Sequence, residues 1–86
     1  MRVVVISKDK NDYSSTVDDY LRDFEHQTGH KLEVLNPDTK EGIQFCEIYD
    51  VVEYPSIIAI SDEGVIQNSW RGLPLPTISE LTYYIQ

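Results

Sequence analysis

The sequence contains very little cysteine. Cys46 is the single cysteine in 86 residues. One thiol cannot form a disulfide within the chain, so the fold does not depend on an oxidising compartment. It also cannot provide the nucleophilic and resolving thiols that dithiol–disulfide exchange generally uses.

Long apolar runs and basic residues are also scarce. The apolar run at the start of the chain has the length of a strand, and no stretch is long enough to span a membrane. The chain does not open with a basic segment followed by an apolar segment, the pattern of a signal peptide. We therefore expect a cytoplasmic protein. Seven Lys and Arg residues against fifteen Asp and Glu residues give a formal net charge of −8. This charge disfavours nucleic acid and anionic lipid as partners, and solubility is its simplest explanation.

The length and the apolar fraction of 41% predict one globular domain over residues 1–86. Val3 to Ile6 are continuously apolar, which predicts a strand covered on both faces. Apolar residues at positions i, i+3, i+4 and i+7 then predict a helix that Gly29 ends. These stripe residues are Val17, Tyr20, Leu21 and Phe24. We expect the helix to be capped by Ser14, Ser15 or Thr16, with Asp18 and Asp19 near its positive end.

The second half of the chain predicts a strand, a helix, a hairpin and a last helix. Lys31 to Leu35 alternates as a strand, and a short helix follows from about Lys40 to Tyr49, presenting Phe45, Ile48 and Tyr49. Strands at Ser56–Ile60 and Val65–Trp70 flank an Asp-Glu-Gly turn. The final helix opens with a capping box between Thr77 and Glu80, and its buried face is predicted to comprise Ile78, Leu81, Tyr84 and Ile85. Pro55 lacks an amide hydrogen and must precede its strand.

The resulting order is β-α-β-α-β-β-α, an α/β fold. The helix between the first two strands implies a parallel crossover, and the later strands form an antiparallel hairpin. We therefore predict a four-stranded mixed sheet with three helices distributed over both faces.

This order resembles the thioredoxin-like superfamily over nearly the whole chain. The segment from Tyr49 to Pro55 is similar to the stretch that leads to the family's cis-proline, so the resemblance implies a cis Tyr54–Pro55 bond. The apolar strand, the Asp-Glu-Gly turn and the strand ending at Trp70-Arg71-Gly72 also match in order and spacing. The resemblance implies a rim beside Pro55 that receives an extended peptide.

The opening strand is similar to that of glutaredoxins, whose Cys-x-x-Cys motif follows it. The shared Ser-Lys places Asn11, Asp12, Tyr13 and Ser14 at the motif, so both cysteines are missing. Asn11 cannot ionise, and Ser14 has no neighbouring base in sequence that would activate it. The candidate site is therefore a binding rim with no catalytic residue. Its residues are Asn11, Asp12, Tyr13, Ser14, Tyr54, Pro55, Trp70 and Gly72.

Several residues keep two interpretations. Residues 11–15 are either a vestigial anion-binding helix start or an ordinary capped helix, which we favour. Cys46 lies among apolar residues and a carboxylate, so we expect a packing residue without a lowered pKa. His26 and His30 are four residues apart, but Gly29 between them favours a solvated helix end over a metal site. Trp70 and Tyr54 either border the rim or pack on the sheet.

Two functions follow from the resemblance. The first is a redox-inactive module that binds a protein or peptide segment through the rim, without a cofactor. The second is a degenerate glutaredoxin-like or transferase-like protein that binds glutathione, with Lys8 and the Tyr54–Pro55 backbone contributing contacts. The sequence does not predict the oligomeric state.

Overall fold

The computed structural model describes residues 1–8 and 12–85 and contains the seven elements in the predicted order. They are β1 (Arg2–Ile6), α1 (Ser14–Thr28), β2 (Glu33–Leu35), α2 (Lys40–Tyr49), β3 (Ser56–Ile60), β4 (Ile66–Arg71) and α3 (Ile78–Thr82). The strands form one sheet in the order β2-β1-β3-β4. β1 pairs with β2 in parallel, whereas β1–β3 and β3–β4 are antiparallel. The predicted mixed sheet and element order are confirmed.

The central strands β1 and β3 are covered on both faces, because alternate residues point to opposite sides of a sheet. On one face, Val3, Val5 and Ile57 pack with Phe24 of α1 and Leu81 of α3. We call this the α1–α3 face. On the other, the α2 face, the buried strand residues Val4, Ile6, Ile58 and Ile60 pack with Phe45 and Val51. The prediction of a doubly covered first strand is confirmed.

β2 is shorter than predicted because only its last three residues pair with β1. Leu32 precedes the strand and is buried, but Val34 is 46% exposed. Val34 pairs with Val5, and β2 lies at the edge of the sheet. We attribute this exposure to the edge position, which gives Val34 a strand neighbour on one side only. β4 likewise starts one residue later than predicted and ends at Arg71.

The start of α1 differs from the prediction. The helix begins at Ser14, and the side chain of its N-cap residue, Tyr13, makes no capping hydrogen bond. The three predicted hydroxyl caps therefore lie inside the first turn, and Asp18 and Asp19 come one turn too late to count as first-turn acids. The prediction failed because the helix extends further towards its N-terminus than the apolar stripe requires. At the other end, Gly29 adopts φ 74° and its amide donates to the Glu25 carbonyl at 2.8 Å, as predicted.

The two shorter helices are each predicted correctly in part. In α2, Phe45 and Tyr49 pack with ring centres 4.7 Å apart, but Ile48 is 72% exposed. Successive residues are about 100° apart around a helix, which turns Ile48 away from the stripe that includes Tyr49. In α3, the Thr77 hydroxyl accepts from the Glu80 amide at 3.1 Å. The Glu80 carboxylate accepts from that same hydroxyl, at 3.2 Å, rather than from the Thr77 amide.

Candidate functional site

The loop before β3 and the end of β4 form one half of the candidate rim. Pro55 is buried immediately before β3, and its carbonyl accepts from the Gly72 amide at 2.9 Å. Gly72 has φ 75°, a backbone conformation that residues with a Cβ rarely adopt. The Ser56 hydroxyl donates to the Glu53 carbonyl, and the Tyr54–Pro55 bond is cis. These contacts hold the loop against the last residues of the hairpin.

The other half of the rim lies at the start of α1. Lys8 follows β1, and its amide donates to the Tyr13 hydroxyl at 3.2 Å. Ser14, the first residue of α1, lines a small cavity of about 110 Å³ together with Lys8. Asp12 is exposed, and Asn11 lies outside the described residues. Drug-sized ligands generally occupy pockets of about 300 Å³ or more, so this cavity alone is too small to enclose one.

Lys8 connects the two halves of the rim. Its ammonium nitrogen lies 5.3 Å from the centre of the Tyr54 ring and 3.9 Å from Oδ1 of Asp38. Asp38 belongs to the turn before α2, where its amide donates to the Asn36 side chain at 2.9 Å. A cation over an aromatic face is attracted by the negative charge density of the ring. Lys8 therefore draws together three segments that are far apart in the sequence.

Cys46 faces Tyr54 from α2. Burial raises the pKa of the Cys46 thiol, and a hydrogen bond with Tyr54 only partly opposes this effect. Because the thiolate is the nucleophilic form, a raised pKa leaves this cysteine mostly protonated at neutral pH. The result agrees with the expectation from its apolar flanks. Burial, followed by the interaction with Cys46, also raises the pKa of Tyr54, so its hydroxyl remains a hydrogen-bond donor.

A shallow cavity of about 300 Å³ lies beside this pair, lined in part by Pro37, Ile43 and Val52. Val52 is 73% exposed and Ile43 is about half exposed. The surface next to Tyr54 is therefore partly apolar.

Trp70 lies away from Tyr54. It pairs with Ile57 in the sheet and packs with the α1–α3 core cluster. Its ring contacts Tyr84 edge-on, with centres 5.5 Å apart. Tyr54, by contrast, packs against the core of the α2 face. The structure thus brings together Tyr13, Ser14, Tyr54, Pro55 and Gly72 around one rim, and uses Trp70 as a packing residue on the opposite face.

Lys8, Asp38 and Cys46 are the neighbours of Tyr54 that sequence reasoning did not include in the site. The sequence suggests Lys8 as a contact for an anionic ligand such as glutathione but does not place it beside Tyr54. The cysteine and Asp38 precede Tyr54 by 8 and 16 positions, and no motif joins them. A lysine two residues after a buried strand, beside the degenerate motif, is the one signal that identifies part of this group in advance.

Other site types have little support. Among residues 1–8 and 12–85, no three His, Cys, Asp or Glu side chains are arranged to hold a metal ion. Gly29 ends α1, so His26 lies in the helix and His30 lies beyond it. In the same part of the chain, no helix combines the length and apolar character needed to cross a membrane.

Comparison with solved structures identifies the architecture. Thioredoxin 1 from the thermophilic eubacterium Thermosipho africanus superposes with a TM-score of 0.65, over 99% of this chain and 90% of that one. The chain has a thioredoxin-like fold. Sequence identity to the bacterial protein is only 16%, so the similarity shows a common fold and nothing more. No protein-family model matches the sequence, and no curated protein matches it.

Proposed function

We propose that this chain is a thioredoxin-like binding module that does not exchange disulfides and that holds an extended partner segment at the rim beside Pro55. The observation that carries the proposal is the position of the single cysteine thiol. No cysteine stands at residues 11–14, and the single thiol of Cys46 lies on α2 with its pKa raised by burial. A rim whose neighbouring thiol is mostly protonated can bind a segment but attacks a disulfide in it poorly.

The backbone next to Pro55 provides a means of binding. Neither the amide nor the carbonyl of Tyr54 is hydrogen-bonded to any of the described residues. An extended peptide can pair with such backbone groups, and flanking side chains then select among sequences. Tyr54 and the exposed Val52 offer apolar contact, and Lys8 offers a positive charge.

Disulfide reductase activity is the first test. Wild-type protein should reduce insulin no faster than the buffer containing the thiol reductant, and Cys46→Ser should behave identically. Turnover by the wild type that disappears in Cys46→Ser would refute the redox-inactive part of the proposal.

Partner capture tests the binding part. Tyr54→Ala should lose proteins that the wild type retains, because Tyr54 lies at the centre of the rim. Tyr83→Ala is the matched control, since Tyr83 is 74% exposed and packs beside Tyr84, which contacts Trp70 away from the rim. Equal losses in the two variants would show that capture does not depend on the position of the tyrosine and that the rim has no special role.

Glutathione binding is the second candidate, and Lys8 is the observation that favours it. The ammonium group stands at the rim and can attract a carboxylate, although Asp38 lies beside it. Titration with glutathione should then shift the amide resonances of Asp12 to Ser14 and of Tyr54 in a saturable way. Unchanged spectra at millimolar ligand would eliminate this candidate and leave the binding module. Either function is compatible with the cytoplasmic location that we expect from the sequence.

A further inference from the structure

A groove lies on the α1–α3 face, away from Tyr54. Residues of α1 and of the loop that follows β4 together line a shallow groove of about 510 Å³, which we call the acidic groove. Its residues include Tyr20, Leu73, Pro74 and Leu75, with the carboxylates of Asp19 and Asp23 along the helix side. The volume falls within the range of sites that hold a ligand or a few side chains of a partner.

The floor of the acidic groove is apolar. Tyr20 and Leu75 pack partly against the core, whereas Leu73 is 56% exposed. Burying the exposed part of a leucine side chain against a partner removes apolar surface from water, which is favourable. The groove therefore offers an anchor point for an apolar side chain of leucine size.

The wall of the acidic groove is negatively charged. Asp19 and Asp23 are four residues apart on α1 and so lie on the same side of the helix. Asp19 forms an exposed ion pair with Arg22 at 3.1 Å. Asp23 makes no ion pair or hydrogen bond with any residue in the described ranges. An apolar floor beside carboxylates is complementary to an apolar side chain flanked by cations.

We propose that the acidic groove docks a segment of another protein in which an apolar side chain is flanked by lysine or arginine. A second copy of this chain suits the groove poorly, because each copy carries a formal net charge of −8. The lining of the groove contains none of the rim residues, although Leu73 directly follows Gly72. The inference does not require that the rim bind a partner.

A capped peptide of two central leucines with two lysines on each side provides the probe. We expect saturable amide shifts at Asp19, Tyr20, Asp23, Leu73 and Leu75 when the isotope-labelled full chain is titrated. Raising salt from ~50 to ~200 mM should weaken binding, because exposed charges are then more strongly screened. Peptides with serines for the leucines, or glutamates for the lysines, should not bind.

Variants with matched controls locate the binding site. Asp23→Asn should raise the dissociation constant about threefold, as expected for one exposed ion pair. Leu73→Ser should raise it about fivefold or more, by removing the apolar contact. Glu63→Gln and Val65→Ser make the same kinds of change at exposed positions between β3 and β4, and should alter it less than about twofold. Tyr54→Ala should leave it unchanged.

Three results would overturn the inference. The first is the absence of saturable shifts at the acidic groove. The second is an equal loss of affinity in Asp23→Asn and Glu63→Gln, which would indicate attraction to the overall negative charge. The third is a concentration-dependent shift of the same amides without peptide, which would assign the groove to self-association. None of these results bears on the rim beside Pro55.

Discussion

The two faces of the sheet have comparable cores but present different surfaces. Phe24 and Leu81 are fully buried on the α1–α3 face, and Phe45 and Val51 are buried on the α2 face. Outside these cores, the first face carries the carboxylates of the acidic groove. The second brings a lysine, a tyrosine and a thiol together beside Pro55.

This difference follows from the way the central strands distribute their side chains. The central strands alternate their side chains between the faces, so each surface rests on its own set of core residues. Trp70 illustrates the consequence, because it is two residues from Gly72 in sequence yet packs on the face opposite to Tyr54. A substitution in one core should therefore disturb its own surface first.

The largest expected effect is that of Gly42→Ala on the α2 face. A Cβ at this buried position would overlap the Asn36 carbonyl oxygen and lie 2.9 Å from Cα of Pro37, both of which are backbone atoms. We expect this clash to lower the free energy of unfolding by about 3 kcal/mol. The higher helix propensity of alanine offsets only roughly 1 kcal/mol of that loss. Denaturant unfolding measures this value.

Gly29→Ala is the control for Gly42→Ala. It makes the same change where nothing lies within 4 Å of the added Cβ, so its cost arises from the positive φ of 74°. That cost is about 1 kcal/mol. A Gly42→Ala protein that is as stable as the wild type would show that α2 is not packed tightly against the Asn36–Pro37 turn.

Tyr20→Phe should have an intermediate effect on the α1–α3 face. The Tyr20 hydroxyl is buried and has no hydrogen-bond partner among the described residues. Because an unsatisfied buried hydroxyl costs free energy, its removal should stabilise the protein by about 1 kcal/mol near neutral pH. Thermal or denaturant unfolding measures this gain, and a loss of stability would indicate that the hydroxyl is satisfied in solution.

The same substitution has a pH signature. Burial raises the pKa of Tyr20 from 10.0 to about 12. The unfolded chain therefore loses this proton first, so stability is fully present below pH 10 and falls as the pH rises to about 12. Over this interval the wild type should lose up to about 2 kcal/mol in the free energy of unfolding, and Tyr20→Phe should not show this loss. Parallel pH profiles for wild type and variant would contradict the shift.

The smallest expected effect is that of Glu33→Gln at the sheet edge. Arg2 donates from Nε to Glu33 at 2.9 Å, and this bond lowers the pKa of Glu33. Both side chains are about half exposed, so solvent screening should reduce the loss to below about 0.5 kcal/mol at neutral pH. Because folding lowers the pKa of Glu33, the contribution of this pair to stability is present above the unfolded pKa and disappears as pH falls through the folded pKa.

Asp19→Asn is the matched control for Glu33→Gln, because it breaks the exposed Asp19–Arg22 pair on the other face. The two losses should be similarly small. A loss above about 1 kcal/mol for Glu33→Gln alone would mean that Arg2, whose guanidinium lies 5.5 Å from the Phe45 ring centre, couples this pair to the α2 core.

Much of the fold could be predicted from short-range patterns. Val3 to Ile6 indicated a doubly buried strand, Gly29 the end of α1, and Pro55 the residue before β3, and all three agree with the structure. The prediction that α2 presents Ile48 together with Phe45 and Tyr49 is wrong, since Ile48 is exposed. Ile48 lies about 100° around the helix from Tyr49, and the sequence does not show how much of the helix surface another element covers.

The candidate site was predicted less completely. The resemblance implies a rim of eight residues. Contacts in the structure connect Tyr13 with Tyr54 through Lys8, and Pro55 with Gly72, whereas Trp70 packs on the opposite face and Asn11 lies outside the described residues. The pairing of Cys46 with Tyr54 and the contact of Lys8 with Asp38 could not be read from the sequence, because each joins residues on different elements.

Composition and local periodicity are enough to specify the element order, the acidic charge and the lack of a second thiol. Packing in three dimensions is needed to specify that Cys46 faces Tyr54, that Trp70 packs with Tyr84, and that Asp19 and Asp23 border an apolar groove. The physical reason is that local patterns specify which stripe of an element is apolar. The neighbours of its remaining side chains are set by how the helices pack on the two faces of the sheet.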